Sequence, residues 1–262
     1  MSQASANLNI MIKAARRASR GLLRDFSEVE NLQVSSKSLG DFVSKADIKA
    51  EQIIKKELME ARPNYGWIGE ESIEVFGNDP TRRWIVDPLD GTTNFLHGIP
   101  HWAVSIALEY KNEIVTAVIY DPINDEMFTA EKGEGAWLND KRMRVSDRKE
   151  ISKMLFGTGM PFAQRPGLQE TLSELNKLMP KCAGIRRNGS AALDLAYVAS
   201  GRLDGYWERG LKIWDIAAGI LLVKESGGLI EGLSSKENPL RSGELICGNN
   251  LCFTSFSEIL RS

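Results

Sequence analysis

Two aspartates in the segment RRWIVDPLDGTTNF, residues 82–95, are spaced closely enough to act on one ligand. Asp87 follows a short apolar run, and Asp90 comes three residues later. Two carboxylates held this close repel each other, and the repulsion raises one pKa unless a cation lies between them. Because every ligand here would be an oxygen, the pair favours Mg²⁺ or Mn²⁺. An ordinary turn is the alternative, since Asp-Pro and Asp-Gly are both common in loops.

The residues after Asp90 are suited to binding an anion. Gly91 lets the backbone approach a ligand closely, and Thr92, Thr93 and Asn94 favour the start of a helix. The first turn of a helix presents N–H groups that lack intrahelical partners and can bind phosphate. The segment therefore predicts a phosphate site beside the metal site.

The elements that precede this segment should be helical for the most part. Apolar residues recur every three or four positions over 8–26 and over 41–61, which predicts two core-facing helices with a polar loop at 35–40 between them. A short strand over 65–69 then leads to Glu70.

The next stretch predicts a mainly antiparallel sheet. The apolar run before Asp87 should form a strand that ends at Asp87-Pro88, because proline donates no hydrogen bond to a sheet. A glycine turn at 133–135 interrupts the later strands. These strands are predicted at 103–110, 114–120, 127–130 and 137–145.

Beyond residues 146–152 the pattern changes to alternating strands and helices. We therefore expect two halves: residues 1–148 as an α+β half with the main metal and phosphate site, and residues 149–262 as an α/β half. The second half should contain strands at 154–158 and 203–208 and helices at 168–179, 189–198 and 216–225.

Composition places the chain among ordinary globular proteins. Of its 262 residues, 42% are hydrophobic and 26% are charged, and the net charge of −2 provides no global field for nucleic acid. Cys182, Cys247 and Cys252 lack zinc-ligand spacing with His97 or His101, so we expect buried thiols in a reducing cytoplasm. No signal-peptide core and no apolar segment of membrane-spanning length is visible, which predicts a cytoplasmic protein without a membrane partner.

Three motifs resemble those of the inositol monophosphatase family. Residues 87–95, DPLDGTTNF, resemble its first signature; residues 214–219, WDIAAG, continuing to ESGG at 225–228, resemble its second; and residues 69–72, GEES, resemble its upstream glutamate motif. The motifs follow the family's order and spacing over essentially the whole chain. The resemblance implies a layered αβαβα sandwich of the sugar-phosphatase type, with an N-terminal antiparallel-sheet half and a C-terminal α/β half.

The resemblance also implies a set of site residues. Two or three Mg²⁺ ions would be held by Glu70, Asp87, the carbonyl of Leu89, Asp90 and Asp215. The catalytic residues would be Glu70, Thr92 and Asp47, the last two orienting the attacking water. Phosphate and substrate hydroxyls would be bound by Gly91, Thr92, Thr93, Gly189, Ser190, Ala191, Glu208 and Asp215. Taken alone, Asp47 and Asp215 are typical of first-turn acids that stabilise a helix.

The activity implied is magnesium-dependent hydrolysis of inositol monophosphate, or of a related sugar or polyol phosphate, by direct attack of metal-activated water. The resemblance implies lithium sensitivity and a homodimer as well, although the sequence contains no independent evidence for dimerisation. Vertebrate members have a loop lysine for which Lys37 is the nearest candidate here. Relatives of the same fold that act on nucleotide 3′-phosphates or fructose bisphosphate are the alternatives.

Two functions of other classes also have to be considered. A phosphatase of the haloacid dehalogenase type would need an Asp-x-Asp motif, but Asp87 and Asp90 have two residues between them. The second alternative is a non-catalytic role as a partner of the transcription machinery. Because the chain retains the carboxylates expected to bind metal, this would not be its only role. The chain contains neither a Gly-Lys-Ser/Thr phosphate loop nor a Gly-x-Ser-x-Gly elbow.

Overall fold

The computed structural model describes residues 4–28, 34–38, 41–162, 166–234 and 237–262, without the side chains of 34–38 and 41–44. Helices and sheets alternate in five layers. The α-helices in the described ranges are α1 (Ala6–Ser27), α2 (Lys45–Ala61), α3 (Thr92–Leu96), α4 (Leu168–Leu178), α5 (Ala191–Ala199), α6 (Ile213–Glu225), α7 (Pro239–Ser242) and α8 (Phe253–Arg261). Short 3₁₀ turns occur at Ile151–Lys153 and Met179–Lys181.

The larger sheet has seven strands in sequence order, with β3 parallel to β4 and every later pair antiparallel. Its strands are β3 (Gly66–Gly69), β4 (Arg82–Asp90), β5 (Ala103–Tyr110), β6 (Glu113–Asp121), β7 (Glu126–Glu131), β8 (Gly135–Leu138) and β9 (Lys141–Arg142). Before it, β1 (Val34–Ser38) and β2 (Asp41–Ser44) form a separate antiparallel pair.

The smaller sheet has five strands in the order β11-β10-β12-β14-β13. The first three strands of that order are parallel, and β14 runs antiparallel to both of its neighbours. The strands are β10 (Leu155–Thr158), β11 (Gly184–Arg186), β12 (Gly205–Glu208), β13 (Gly228–Glu231) and β14 (Leu245–Asn249).

Three apolar clusters hold the layers together. Residues of α1 and α2 pack on one face of the seven-stranded sheet, as Met11 and Trp84 illustrate. The other face packs on α5 and α6, whose far side covers the five-stranded sheet through residues such as Tyr206. Finally, α4 and α8 cover the outer face of the smaller sheet, where Phe156 stacks on Phe256. This arrangement confirms the predicted αβαβα sandwich.

The central helices are apolar on nearly all sides because both of their flanks are buried. In α6 every residue from 216 to 223 is buried. Gly219 allows the two helices to approach, since a Cβ there would lie 2.4 Å from Cδ1 of Leu195. The division into halves at 148 and 149 stays a prediction, and α5 and α6 contact both sheets.

The structure corrects the prediction for the region before α2. Residues 34–38 form a strand rather than a polar loop, and 41–44 pair with it instead of starting the helix. Pairing with a neighbouring strand thus overrides the polar composition of the segment. The side chain of Lys37 lies outside the described part of the structure.

Two strand boundaries also differ from the prediction. β4 continues through Pro88 to Asp90, because the register shifts between Asp87 and Asp90 and the missing N–H of proline is tolerated at such an irregularity. The predicted strand over 137–145 is interrupted between β8 and β9 by a tight turn in which Asn139 has a φ of 51°, and it ends early, because residues 143–145 lie outside β9. Five further elements were not predicted from the sequence: β11, β13, β14, α7 and α8.

Cys247 and Cys252 are buried free thiols, as predicted, whereas the free thiol of Cys182 belongs to a partly exposed residue. Among the described residues, no helix combines the length and the apolar character that a membrane crossing requires.

Candidate active site

The site begins where β4 gives way to α3. The carboxylate of Asp87 accepts a hydrogen bond from the backbone N–H of Leu89 at 2.9 Å, across the irregular end of the strand. Gly91 follows with a φ of 96°, and a Cβ there would lie 3.0 Å from the carbonyl oxygen of His101. Only glycine suits this turn, because it combines a left-handed conformation with close backbone contact. The turn directs the chain into α3 at Thr92.

A cavity of about 660 Å³ opens beside this turn. It is bordered by the carboxyl ends of β4, β10 and β12 and by the starts of α3, α5 and α6. The structure thus brings together nearly all the residues expected at the site. The predicted residues that line the cavity are Glu70, Asp87, Leu89, Asp90, Gly91, Thr92, Thr93, Gly189, Ser190, Ala191, Glu208 and Asp215.

Four acidic side chains in the cavity lie near enough to perturb one another. Burial, and then the charges of Glu70, Asp90 and Asp215, raise the pKa of Asp87 well above its usual range. Burial followed by the Asp90 charge does the same to the pKa of Asp215. A cation between these groups would relieve the repulsion, which is the physical basis for expecting one here.

Hydrogen bonds from the protein hold two of these carboxylates. Asp90 Oδ2 accepts one from the Ser190 hydroxyl at 2.5 Å and one from the Ala192 N–H at 2.7 Å. These bonds oppose the effect of burial, which nevertheless raises the pKa of Asp90 to about 6. Asp215 Oδ2 accepts a hydrogen bond from the Lys212 N–H at 2.7 Å, at the start of α6.

As they stand, no three His, Cys, Asp or Glu side chains in the described part of the chain are placed so that they could hold a metal ion. The donor set nevertheless fits a hard cation, because the cavity gathers carboxylates and the residue Leu89, whose carbonyl was predicted as a ligand. Metal binding by these residues stays a prediction.

Asp47 lies behind the cavity rather than in its lining. It is fully buried in the first turn of α2, and its Oδ1 lies 3.2 Å from the Thr92 hydroxyl oxygen. The same hydroxyl lies 3.0 Å from the carbonyl oxygen of Leu89. Because a hydroxyl has one proton and the nearby protein groups are acceptors, its oxygen can in turn accept a hydrogen bond from water. The structure therefore brings the predicted pair together.

Glu208, at the end of β12 in the smaller sheet, also lines the cavity. The Tyr206 hydroxyl donates to Glu208 Oε2. A Cβ at Gly159 would lie 1.8 Å from the Glu208 carboxylate, so glycine is required there to leave room for it. Neither support was predicted from the sequence. Gly159 comes to lie beside Glu208 only through the pairing of β10 with β12. Tyr206 lies two residues before Glu208 on the same strand, so the alternation of side chains along a strand was an available signal for it.

Three further residues line the cavity and were not predicted from the sequence: Asp194, Arg187 and Lys212. Asp194 is buried and accepts a hydrogen bond from the Asn188 side chain at 2.6 Å. Burial raises the pKa of Asp194 well above its usual range. The sequence did contain a signal for Asp194, because it is an acidic residue in the alanine- and leucine-rich sequence of α5. A carboxylate buried in such a helix requires a hydrogen-bonding partner.

Comparison with known proteins is consistent with this geometry. A model of the Inositol monophosphatase family matches residues 4–259. An inositol-1-monophosphatase of Rhizobium meliloti (strain 1021) is 54% identical over 257 residues, which are 98% of this chain and 97% of that protein. A Pseudomonas aeruginosa protein named Nus factor SuhB is 46% identical over 94% of this chain and 92% of its own length.

A solved structure agrees equally well with the fold. The crystal structure of the extragenic suppressor protein suhB from Bartonella henselae superposes with a TM-score of 0.96 at 53% identity, over 98% of this chain and 99% of that one. The family model matches residues 4–259, so the match includes every residue that lines the cavity. The chain therefore belongs to the inositol monophosphatase family, a family of phosphatases.

Proposed function

We propose that the protein is a magnesium-dependent phosphomonoesterase that hydrolyses inositol monophosphate, or a related polyol phosphate, to the free polyol and phosphate. The observation that carries the proposal is the meeting of two groups in one cavity: the carboxylates of Glu70, Asp87, Asp90 and Asp215, and Glu208 at the end of β12. The carboxylates can hold the cations that bind a phosphate, and Glu208 can accept hydrogen bonds from substrate hydroxyl groups. Homodimeric assembly and a cytoplasmic location remain predictions.

Two or three Mg²⁺ ions would be held by Glu70, Asp87, the Leu89 carbonyl, Asp90 and Asp215. When bound, Mg²⁺ supplies positive charge to the phosphoryl oxygens and the leaving group and lowers the pKa of water. The protein contributes the placement of the ligands, since Ser190, Ala192 and Lys212 hold two of the carboxylates in position.

The start of α3 would hold the phosphate and the attacking water. We expect the backbone N–H groups of Gly91, Thr92 and Thr93 to bind phosphoryl oxygens. The Thr92 hydroxyl, oriented by Asp47 and the Leu89 carbonyl, would accept a hydrogen bond from the attacking water and fix its direction. The reaction is then a single displacement by water, without a covalent intermediate.

The polyol would lie against the loop 189–191 and Glu208. The Ser190 hydroxyl is less available to bind the polyol, because it is buried, donates a hydrogen bond to Asp90 and accepts one from the Leu193 N–H at 3.2 Å. Glu208, supported by Tyr206, is the stronger candidate for binding substrate hydroxyls directly.

A phosphate-release screen tests the proposal directly. Inositol monophosphates, sugar phosphates and glycerol phosphates are compared with nucleotide 3′-phosphates and fructose bisphosphate, with Mg²⁺ and after chelation. We expect fastest release from a polyol monophosphate, no release after chelation, and uncompetitive inhibition by millimolar lithium. Preference for a nucleotide 3′-phosphate or a bisphosphate would replace the substrate class, and release that is insensitive to chelation would contradict the metal assignment.

Replacement of Glu208 by glutamine should weaken substrate recognition without changing the metal requirement. A charged hydrogen bond to a hydroxyl contributes about 1 to 3 kcal/mol, so KM should rise by about 5- to 150-fold or the ranking of substrates should change. Glu258→Gln, an exposed position on α8, is the matched control and should behave as wild type. A changed Mg²⁺ dependence in Glu208→Gln would instead place Glu208 among the metal ligands.

A second role is favoured by the similarity to proteins named Nus factor SuhB. We propose this role, as a partner of the transcription machinery, as additional to catalysis. The cavity is lined by all four carboxylates predicted as metal ligands, so the two roles are separable by variants that remove activity without unfolding the chain.

A further inference from the structure

One face of α2 carries three polar side chains at intervals of four residues: Asp47, Glu51 and Lys55. Asp47 is fully buried, and Glu51 is only 3% exposed. A buried carboxylate is costly unless hydrogen bonds compensate for its lost hydration. Asp47 has its compensation in Thr92, which leaves the burial of Glu51 to be explained.

The partner of Glu51 is the backbone next to Glu70. Glu51 Oε2 accepts a hydrogen bond from the N–H of Glu71 at 2.7 Å. The N–H of Glu70 in turn donates to the carbonyl oxygen of Val86 in β4 at 3.2 Å. The Glu70–Glu71 backbone is thereby fixed on one side by the large sheet and on the other by a helix.

The surroundings are shaped to admit the Glu51 carboxylate. A Cβ at Gly69 would lie 2.6 Å from Glu51 Oε2, so a side chain at that position would displace it. Ser72, which follows Glu71 in the loop after β3, also has hydrogen-bond partners. The Ser72 hydroxyl oxygen accepts a hydrogen bond from Trp67 Nε1 at 2.9 Å and lies 3.3 Å from Lys55 Nζ.

We propose that Glu51 is a positioning residue for Glu70. It does not line the cavity, but its carboxylate sets where the Glu70–Glu71 backbone leaves β3 and therefore where the Glu70 side chain can lie. The proposal rests on the proposed function, in which Glu70 helps to hold the metal ions. In this arrangement one helix, α2, positions two separate parts of the site, Thr92 through Asp47 and Glu70 through Glu51.

Two substitutions separate positioning from simple packing. Glu51→Ala removes the acceptor, whereas Glu51→Gln keeps an amide oxygen that can accept the Glu71 N–H. We expect Glu51→Ala to weaken Mg²⁺ binding, measured by calorimetry, by about 10- to 100-fold, and Glu51→Gln to restore most of the affinity. Amide exchange at Glu71 should accelerate at least about tenfold in the alanine variant only.

Glu60→Ala, at an exposed position of the same helix, is the control and should match wild type in both measurements. Glu51→Met, which keeps the length without an acceptor, replaces the alanine variant if that one does not fold. Wild-type Mg²⁺ affinity together with slow Glu71 exchange in Glu51→Ala or Glu51→Met would overturn the proposal, as would a failure of glutamine to rescue. If the wild type released no phosphate, the proposed function would fail, while exchange at Glu71 would still decide whether Glu51 positions this segment.

Discussion

Asp90→Asn and Asp215→Asn should each abolish phosphate release and leave the fold intact. Both substitutions keep the side-chain shape and remove a ligand charge, so the loss should exceed the 10- to 100-fold typical of residues that only support ligands. Without metal, the free energy of unfolding should hardly change. The hydrogen bonds from Ser190 to Asp90 and from Lys212 to Asp215 would weaken, but removing one negative charge also relieves repulsion among the carboxylates, and these opposing changes offset each other. Turnover at saturating Mg²⁺ and the Tm without Mg²⁺ measure the two effects.

Asp147→Asn, on an exposed segment, is the matched control and should keep wild-type turnover. Near wild-type turnover in Asp90→Asn or Asp215→Asn at saturating Mg²⁺ would show the metal assignment to be wrong. The same inactive variants test the second role: a non-catalytic effect on transcription in a reconstituted elongation assay should persist in Asp90→Asn. If the wild type has no effect in that assay, the second role is wrong.

Thr92→Ala is expected to slow the chemical step by about 10²- to 10⁴-fold, the range typical of a group positioned for proton transfer. The hydroxyl lies 3.2 Å from Asp47 and 3.0 Å from the Leu89 carbonyl oxygen, so its loss removes the group that would orient the attacking water. Mg²⁺ binding should persist, since the carboxylates are untouched. Thr92→Ser keeps a hydroxyl and should recover most of the rate in single-turnover measurements; an alanine variant as fast as the serine variant would contradict the assignment.

The configuration at phosphorus tests the same mechanism independently. Direct attack by water is a single displacement and inverts the configuration at phosphorus. An aspartyl-phosphate route needs two displacements and retains the configuration overall. The carboxylates of Asp87, Asp90 and Asp215 each accept a hydrogen bond from a backbone N–H, which favours a fixed supporting role over a nucleophilic one. A substrate with a phosphoryl group made chiral by oxygen isotopes distinguishes the two outcomes, and retention would contradict direct attack.

Local sequence was sufficient for the order of elements around Asp87 and Asp90, although not for the end of the strand. The presence of a strand before Asp87, a glycine at the turn and a short helix after it follows from residue type and periodicity. The long α1 and the apolar α6 were predictable for the same reason. The five-layer fold followed from the resemblance of the motifs to a family rather than from any local pattern.

Tertiary structure alone decided which distant residues meet at the cavity. Thr92 and Asp47 are 45 residues apart, and Ser190 and Asp90 are 100 residues apart, so no local window contains either contact. Tertiary pairing also placed residues 34–38 in a strand and carried β4 through Pro88, against local preference. The space that Gly159 leaves for Glu208 depends in the same way on β10 lying beside β12. Side-chain type determines what a residue can do chemically, but the order of strands in a sheet determines what it can reach.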